Sequence, residues 1–417
     1  MASGTNGFVE HVLPNGLKIV IEPMAHTNSA AGGFLVRTGA RDEVPQLAGV
    51  SHFLEHMCFK GTSKRDWRKI TNDFDDMGST YNAYTSKERT VYFGWVRVDD
   101  LEKQLELLAD MMRSVIPKEE FEMEKKVILE EIAMSEDSIE RKVYDLMHEA
   151  IYPGHSLEWP VLGTKDSIGR LTRDELHGYF QDRYHPANMV LMVAGAVEPG
   201  NVIEMAQRIC GSWERRSPRP ERSKPSENKR GVRKVVMDRF QRQAIGLIYP
   251  APSALHEDRE NGDVLASILG GQNSRFFWNI IQAGIAPSVA AGRLDYCDDG
   301  MMIAFGFSEP DRCQELLDAM RGEMEKVSRG GVTEDEVQRV KNAPARHWRP
   351  KPSALLPAHA DDQRHRRLRP AAQRHGAART ARCRNTEIDT SLFGTLAADR
   401  RGCAGQPRTA RLAELRD

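Results

Sequence analysis

His52, Glu55 and His56 lie within "GVSHFLEHMCFKGT" at residues 49–62, a stretch otherwise rich in apolar side chains. Positions i, i+3 and i+4 share one face of a helix, so the three polar groups project together while Phe53, Leu54 and Met57 turn towards a core. Two imidazoles one turn apart can bind one zinc ion, and a glutamate on the same stripe can take a proton from a water that zinc brings to a pKa of about 7. That combination suits hydrolysis. With 13 histidines among 417 residues, H-x-x-E-H arises by accident at about the 3% level, which gives the pentapeptide weight. A catalytic zinc usually has a third protein ligand. "EMEKKVILEE" offers Glu124, Glu130 and Glu131. Glu124 and Glu131 share a helix face two turns apart, whereas Glu130 is rotated by about 100° from Glu131. Spacing alone leaves the choice among them open.

The elements that must hold these groups read as an α+β layer. "LKIVIEP" and "AAGGFLVRTGA" are strand-like with glycines at the punctuation points, and a helix from about Leu47 to Lys60 follows. "ITNDFDDMGSTYNAYTSKERTVYFGWV" gives a helix end, a glycine break and two strand-like runs. "VDDLEKQLELLADMMRSVI" has helical spacing, and "PKEEFEMEKKVILEEIAMSEDSIERKVYDLMHEAIY" opens with a proline suited to a helix start. The strand-like "NMVLMVAGAV" and a helix around "NVIEMAQRI" close a first domain, residues 1–214. Residues 215–232, dense in Pro, Ser and charge, read as a linker. The order then begins again: "RKVVMDRFQRQAIGLIYPA" resembles the opening strands, "DVLASILGGQNSRFFWNII" stands in place of the motif helix, and "CQELLDAMRGEMEKVSRGGVTEDEVQRVKNA" resembles the segment from Leu101 to Glu131. This predicts a duplicated domain, residues 233–343, whose second copy lacks the histidine pair.

Charge divides the chain. Residues 344–417 carry 16 Lys+Arg against 7 Asp+Glu, and the remainder carries 43 against 53, so an acidic body precedes a basic tail. The tail loses hydrophobic periodicity and holds fifteen Arg to one Lys, a composition that predicts disorder. Its onset inside a predicted helix favours a change of reading frame near codon 343 over a nucleic-acid-binding arm, so no nucleic-acid partner is expected. Six scattered cysteines without a C-x-x-C pair give neither a disulfide framework nor a cysteine zinc site. No apolar run approaches the roughly 18 residues of a membrane span, and the first residues show no targeting pattern, so a cytoplasmic protein without membrane attachment is expected.

"GARDEVPQLAGVSHFLEHMCFKGT", "YNAYTSKERTVY", "EKKVILEEIAMSED" and "LTRDELHGYFQDRYHPANMVLMVAGAV" together resemble the inverted-motif zinc peptidases of the pitrilysin and mitochondrial processing peptidase family, over about residues 8–343. The resemblance implies two homologous α+β domains forming a clamshell, the second apparently truncated. It implies that His52, His56 and Glu131 bind Zn2+, with Glu55 as general base and Glu124 as a supporting carboxylate. It places Asn82 and Ala83 on a strand that pairs with an extended substrate backbone. Many members also carry, within "R-E-K-R-G-L-A-Y-S-V" of the second domain, an arginine and a tyrosine that hold substrate and stabilise the oxyanion. Here the matching block is "IIQAGIAPSV", with Ile280 and Pro287 at those places. The expectation is the zinc-bearing half of a heterodimeric endopeptidase for unstructured peptides, its arginine and tyrosine supplied by a homologous subunit. The rival expectation is a non-catalytic assembly subunit.

Overall fold

The structure, a computed structural model, describes residues 3–5, 7–216, 222–225 and 233–342; the expectations for the 344–417 tail and for most of the linker lie outside these. The first half runs β1 (Ser3–Thr5), β2 (Phe8–Val12), β3 (Lys18–Pro23), β4 (Ser29–Val36), α1 (Val50–Met57), α2 (Trp67–Asp76), β5 (Thr80–Thr85), β6 (Thr90–Arg97), α3 (Leu101–Met111), α4 (Lys118–Glu136), α5 (Ile139–Ile151), α6 (Lys165–Arg170), α7 (Arg173–Arg183), β7 (Met189–Gly195) and α8 (Pro199–Cys210). Its seven strands lie in the order β1-β2-β3-β7-β4-β6-β5, antiparallel except for the β3–β7 pair. β4, "SAAGGFLV", is central and buried almost throughout, which explains its lack of polar alternation. One face of the sheet meets a core in which Ile19, Ile21, Phe34 and Tyr92 pack with Phe53 and Met57 of α1, Leu105 of α3 and Phe121 and Ile128 of α4. α1, which carries His52, Glu55 and His56, is thus fixed by the apolar side chains between its polar ones.

The second half runs β8 (Gln243–Pro250), α9 (Arg259–Gly270), a π-helical turn at Phe277–Ile281, β9 (Ser288–Asp295), β10 (Gly300–Ser308), α10 (Cys313–Ser328) and α11 (Glu334–Asn342). Its sheet order, β8-β10-β9, repeats β4-β6-β5 of the first half, with helices at the corresponding places. The duplicated α+β architecture is therefore present. The halves meet where Met147, Tyr152 and Leu157, on and just beyond α5, pack against Tyr296, Met301 and Ile303. Among the described residues no helix is long and apolar enough to cross a membrane.

Three local expectations change. The motif helix covers Val50–Met57, shorter than Leu47–Lys60, because Gly49 enters it in the left-handed region and a turn leads from Cys58 to Gly61. The long stretch opened by Pro117 is two helices, since the Ser138 hydroxyl accepts from the Arg141 N–H and starts α5 afresh. The second half opens with one strand, β8. In the first half β7 pairs with both β3 and β4 and arrives late in the domain, whereas the chain at the corresponding place in the second half lies beyond Asn342. Residues 233–242 make no ladder among the described residues.

Candidate active site

The approach to α1 is built from a glycine and a buried carboxylate. Gly49 has φ +92°, and a Cβ there would stand 2.6 Å from the Leu162 carbonyl oxygen, so both conformation and space require glycine. Glu43 accepts from the Gly49 and Ser51 N–H groups at 2.7 and 2.8 Å, placing an anion at the start of the helix. Burial pushes this carboxyl up to about 7, against the pull of those two hydrogen bonds. On the inner side of α1, Phe53 stacks on Phe121 of α4 with centroids 4.8 Å apart. That packing sets the face of α4 that looks at the histidines.

Glu131 of α4 comes to both imidazoles: its Oε2 lies 3.9 Å from His52 Nε2 and 3.8 Å from His56 Nε2. The three donor atoms lie within 4.8 Å of one another, and Glu130 is outside the group. Bonds of about 2.0–2.2 Å in a tetrahedral zinc site hold ligands about 3.4 Å apart, so a contraction of about half an ångström at the two Glu131 contacts, with the imidazoles drawn together by at most about 1.4 Å, would seat an ion. The chemistry of the donors also fits. Burial, then the neighbouring His56 charge, lowers the His52 pKa to about 3, which keeps that imidazole neutral with its lone pair available. His56 Nδ1 donates to Glu124 Oε1 at 2.7 Å, and Glu124 Oε2 accepts from Lys60 at 2.6 Å. Burial works to raise the Glu124 pKa, but these two partners prevail and hold it below its ordinary value. Against the lowering effect of burial, Glu124 and Glu131 raise the His56 pKa; the ionised, acceptor-only Glu124 holds the proton on Nδ1, so Nε2, facing Glu131, is the nitrogen that would give up its proton to a metal. Replacing Glu124 by Ala is expected to weaken zinc binding about 10–100-fold in a chelator competition, and unchanged affinity would deny it this orienting role.

Glu55 stands on the same face of α1. Its Oε2 accepts from the Thr85 hydroxyl at 2.5 Å, and burial raises its pKa, only partly offset by that hydrogen bond. A desolvated carboxylate is the stronger proton acceptor. Thr85 ends β5, the outer strand beside α1, whose other edge has no strand partner among the described residues. Asn82 is exposed on β5 and Ala83 partly buried, and the Asn82 side chain accepts from the Ala83 N–H at 2.8 Å. The structure thus brings His52, Glu55, His56, Glu124 and Glu131 together, with Asn82 and Ala83 on the adjoining open edge. Sequence reasoning missed Thr85 and Lys60 as supports. Thr85 belongs to the quoted "YNAYTSKERTVY", and Lys60 lies four residues beyond His56, so spacing held a signal for the second.

In the second half, Ile280 is fully buried among Leu269, Phe276, Leu316 and Met320, and Pro287 is exposed just before β9. Neither offers a hydrogen-bond donor side chain. Glu88, Cys297 and Asp298 also lie close enough to suggest a metal, but Arg41 and Arg222 already pair with their carboxylates. Guanidinium groups in that position exclude a second cation.

Comparison with known proteins follows these features closely. Residues 18–165 match the family described as Insulinase (Peptidase family M16), and residues 170–343 match the Peptidase M16 inactive domain. An uncharacterized zinc protease of Bacillus subtilis is 34% identical over 331 residues, covering 78% of this chain and 80% of that protein. One from Streptomyces coelicolor is 32% identical, covering 79% and 73%. Among solved structures, a protease from Helicobacter pylori shares the fold with a TM-score of 0.76 at 21% identity, covering 95% of this chain and 89% of that one. A peptidase M16 inactive domain from Pseudomonas fluorescens also gives 0.76, at 16% identity, covering 81% and 83%. Matched in both halves and similar to these zinc proteases over more than three quarters of its length, the chain belongs to peptidase family M16.

Proposed function

We propose that this chain is a zinc-dependent endopeptidase subunit that hydrolyses unstructured or extended peptides, as the zinc-bearing half of a heterodimer in the cytoplasm. The convergence of two imidazole nitrogens and the Glu131 carboxylate beside the Thr85-held Glu55 carries this reading. Zinc, when held by His52, His56 and Glu131, supplies Lewis acidity, polarising a carbonyl and making water acidic. The chain's own groups do the rest. Glu55 takes the proton of the attacking water and returns it to the leaving amine. Glu124 and Lys60 keep the His56 ring in one orientation, and the Phe53–Phe121 stack keeps α1 and α4 in register. The open edge of β5 offers main-chain hydrogen bonds to an extended peptide, with Asn82 and Ala83 in the pairing row. An unstructured chain can extend along this edge without first unfolding, which is why unstructured chains are the proposed substrates.

Ile280 and Pro287 favour a second reading, a non-catalytic assembly subunit, since the second half brings no cation or hydroxyl at those positions. The two readings part in one assay. Purified chain with an internally quenched unstructured peptide is expected to show chelator-sensitive cleavage; no cleavage, alone or with a homologous subunit, would leave the assembly reading.

A further inference from the structure

The two halves are joined by an ion network that ends beside the general base. Arg41, whose side chain is fully buried in the first half, forms a two-point pair with Asp298 of the second at 2.6 and 2.7 Å and also meets Glu88 at 2.7 Å. Arg222, in the connection between the halves, pairs with Asp42 at 2.6 Å and Glu88 at 3.0 Å, while the Ser223 carbonyl accepts from Arg41 at 2.7 Å. The Cys297 N–H donates to Glu88 at 3.1 Å, so a second contact from the 297–298 loop reaches the same carboxylate.

Two short segments of the first half receive these contacts. The 40–42 turn is tied to the β5–β6 hairpin tip by Ala40 N–H to the Ser86 carbonyl and Arg41 N–H to the Lys87 carbonyl, at 3.2 and 2.7 Å. Two residues after Arg41, Glu43 caps α1, the helix of His52, Glu55 and His56. Three residues before Glu88, Thr85 holds Glu55. A charge-assisted, two-point pair fixes orientation as well as distance, so the place of the second half is passed to both supports of the base.

We propose that Asp298 of the second half is a positioning residue for Glu55: seated on Arg41, it holds the 40–43 turn and the 85–89 hairpin tip where Glu43 caps α1 and Thr85 grips the base. As a statement about catalysis this rests on the peptidase reading above; as a mechanical coupling it does not. Asp298→Asn tests it without stranding a buried cation, because Arg41 keeps Glu88 as its counter-ion.

Hydrogen exchange on the full chain reads the coupling directly. In Asp298→Asn, amides of residues 49–51 and 85–89 are expected to exchange about tenfold faster, with β7 unchanged and Asp298→Glu close to the parent. Loosening confined to residues 296–300, or spread equally through β7, would overturn the proposal, the first by denying transmission and the second by showing general destabilisation. On zinc-loaded protein, kcat for a short peptide is expected to fall about tenfold in Asp298→Asn at unchanged KM, with recovery in Asp298→Glu. Faster exchange with unchanged kcat would overturn the positioning role. Faster exchange in Asp298→Asn, where the parent cleaves no peptide alone or with a homologous subunit, would support the coupling and sink the peptidase reading instead.

Discussion

Glutamine in place of Glu55 is expected to lower peptide turnover about 10²–10⁴-fold while zinc content stays unchanged, the range typical of losing a general acid or base. The carboxamide keeps the shape and can still accept from Thr85, but it cannot take a proton. Glu55 is no member of the His52, His56 and Glu131 group, so the metal should remain. Steady-state rates on an unstructured peptide, with metal analysis of the same preparations, provide the check. Parent-level turnover in Glu55→Gln would remove Glu55 from the chemistry, and loss of zinc would make it a ligand instead.

The second large effect concerns what the second half lacks. A homologous subunit carrying an arginine and a tyrosine is expected to raise turnover about 10²–10³-fold, the usual worth of one oxyanion donor. Ile280 is buried in the apolar core of the second half and Pro287 carries no donor, so a second copy of this chain brings neither group. The measurement is a titration of this chain with such a subunit, following cleavage and co-elution together. A chain that works at full rate alone, and gains nothing on mixing, contradicts the heterodimer.

Much of the fold was legible because local pattern and tertiary role agree. β4 reads as a continuous small and apolar run, and it lies inside the sheet, paired on both sides by β7 and β6. α1 alternates polar and apolar groups at helical spacing, so its polar face could be named before its neighbours were known. The choice between Glu130 and Glu131 was not available from spacing, because it depends on how α4 is rotated, and that rotation is set by Phe121 on Phe53 and by Ile128 in the core. Thr85 as the partner of Glu55 depends on a strand 30 residues away in sequence. The Arg41–Asp298 pair joins residues 257 apart, beyond any local pattern. The linker reading was drawn from Pro, Ser and charge, yet Arg222 within it is held by Asp42 and Glu88.

Zinc content of the purified chain, measured after removal of loosely held metal and beside His52→Ala, bears most directly on the central claim. About one zinc per chain, lost in a His52→Ala protein that keeps its circular dichroism spectrum, is the predicted result. An absence of zinc from both proteins, or equal zinc in both, would contradict a metal centre at His52, His56 and Glu131.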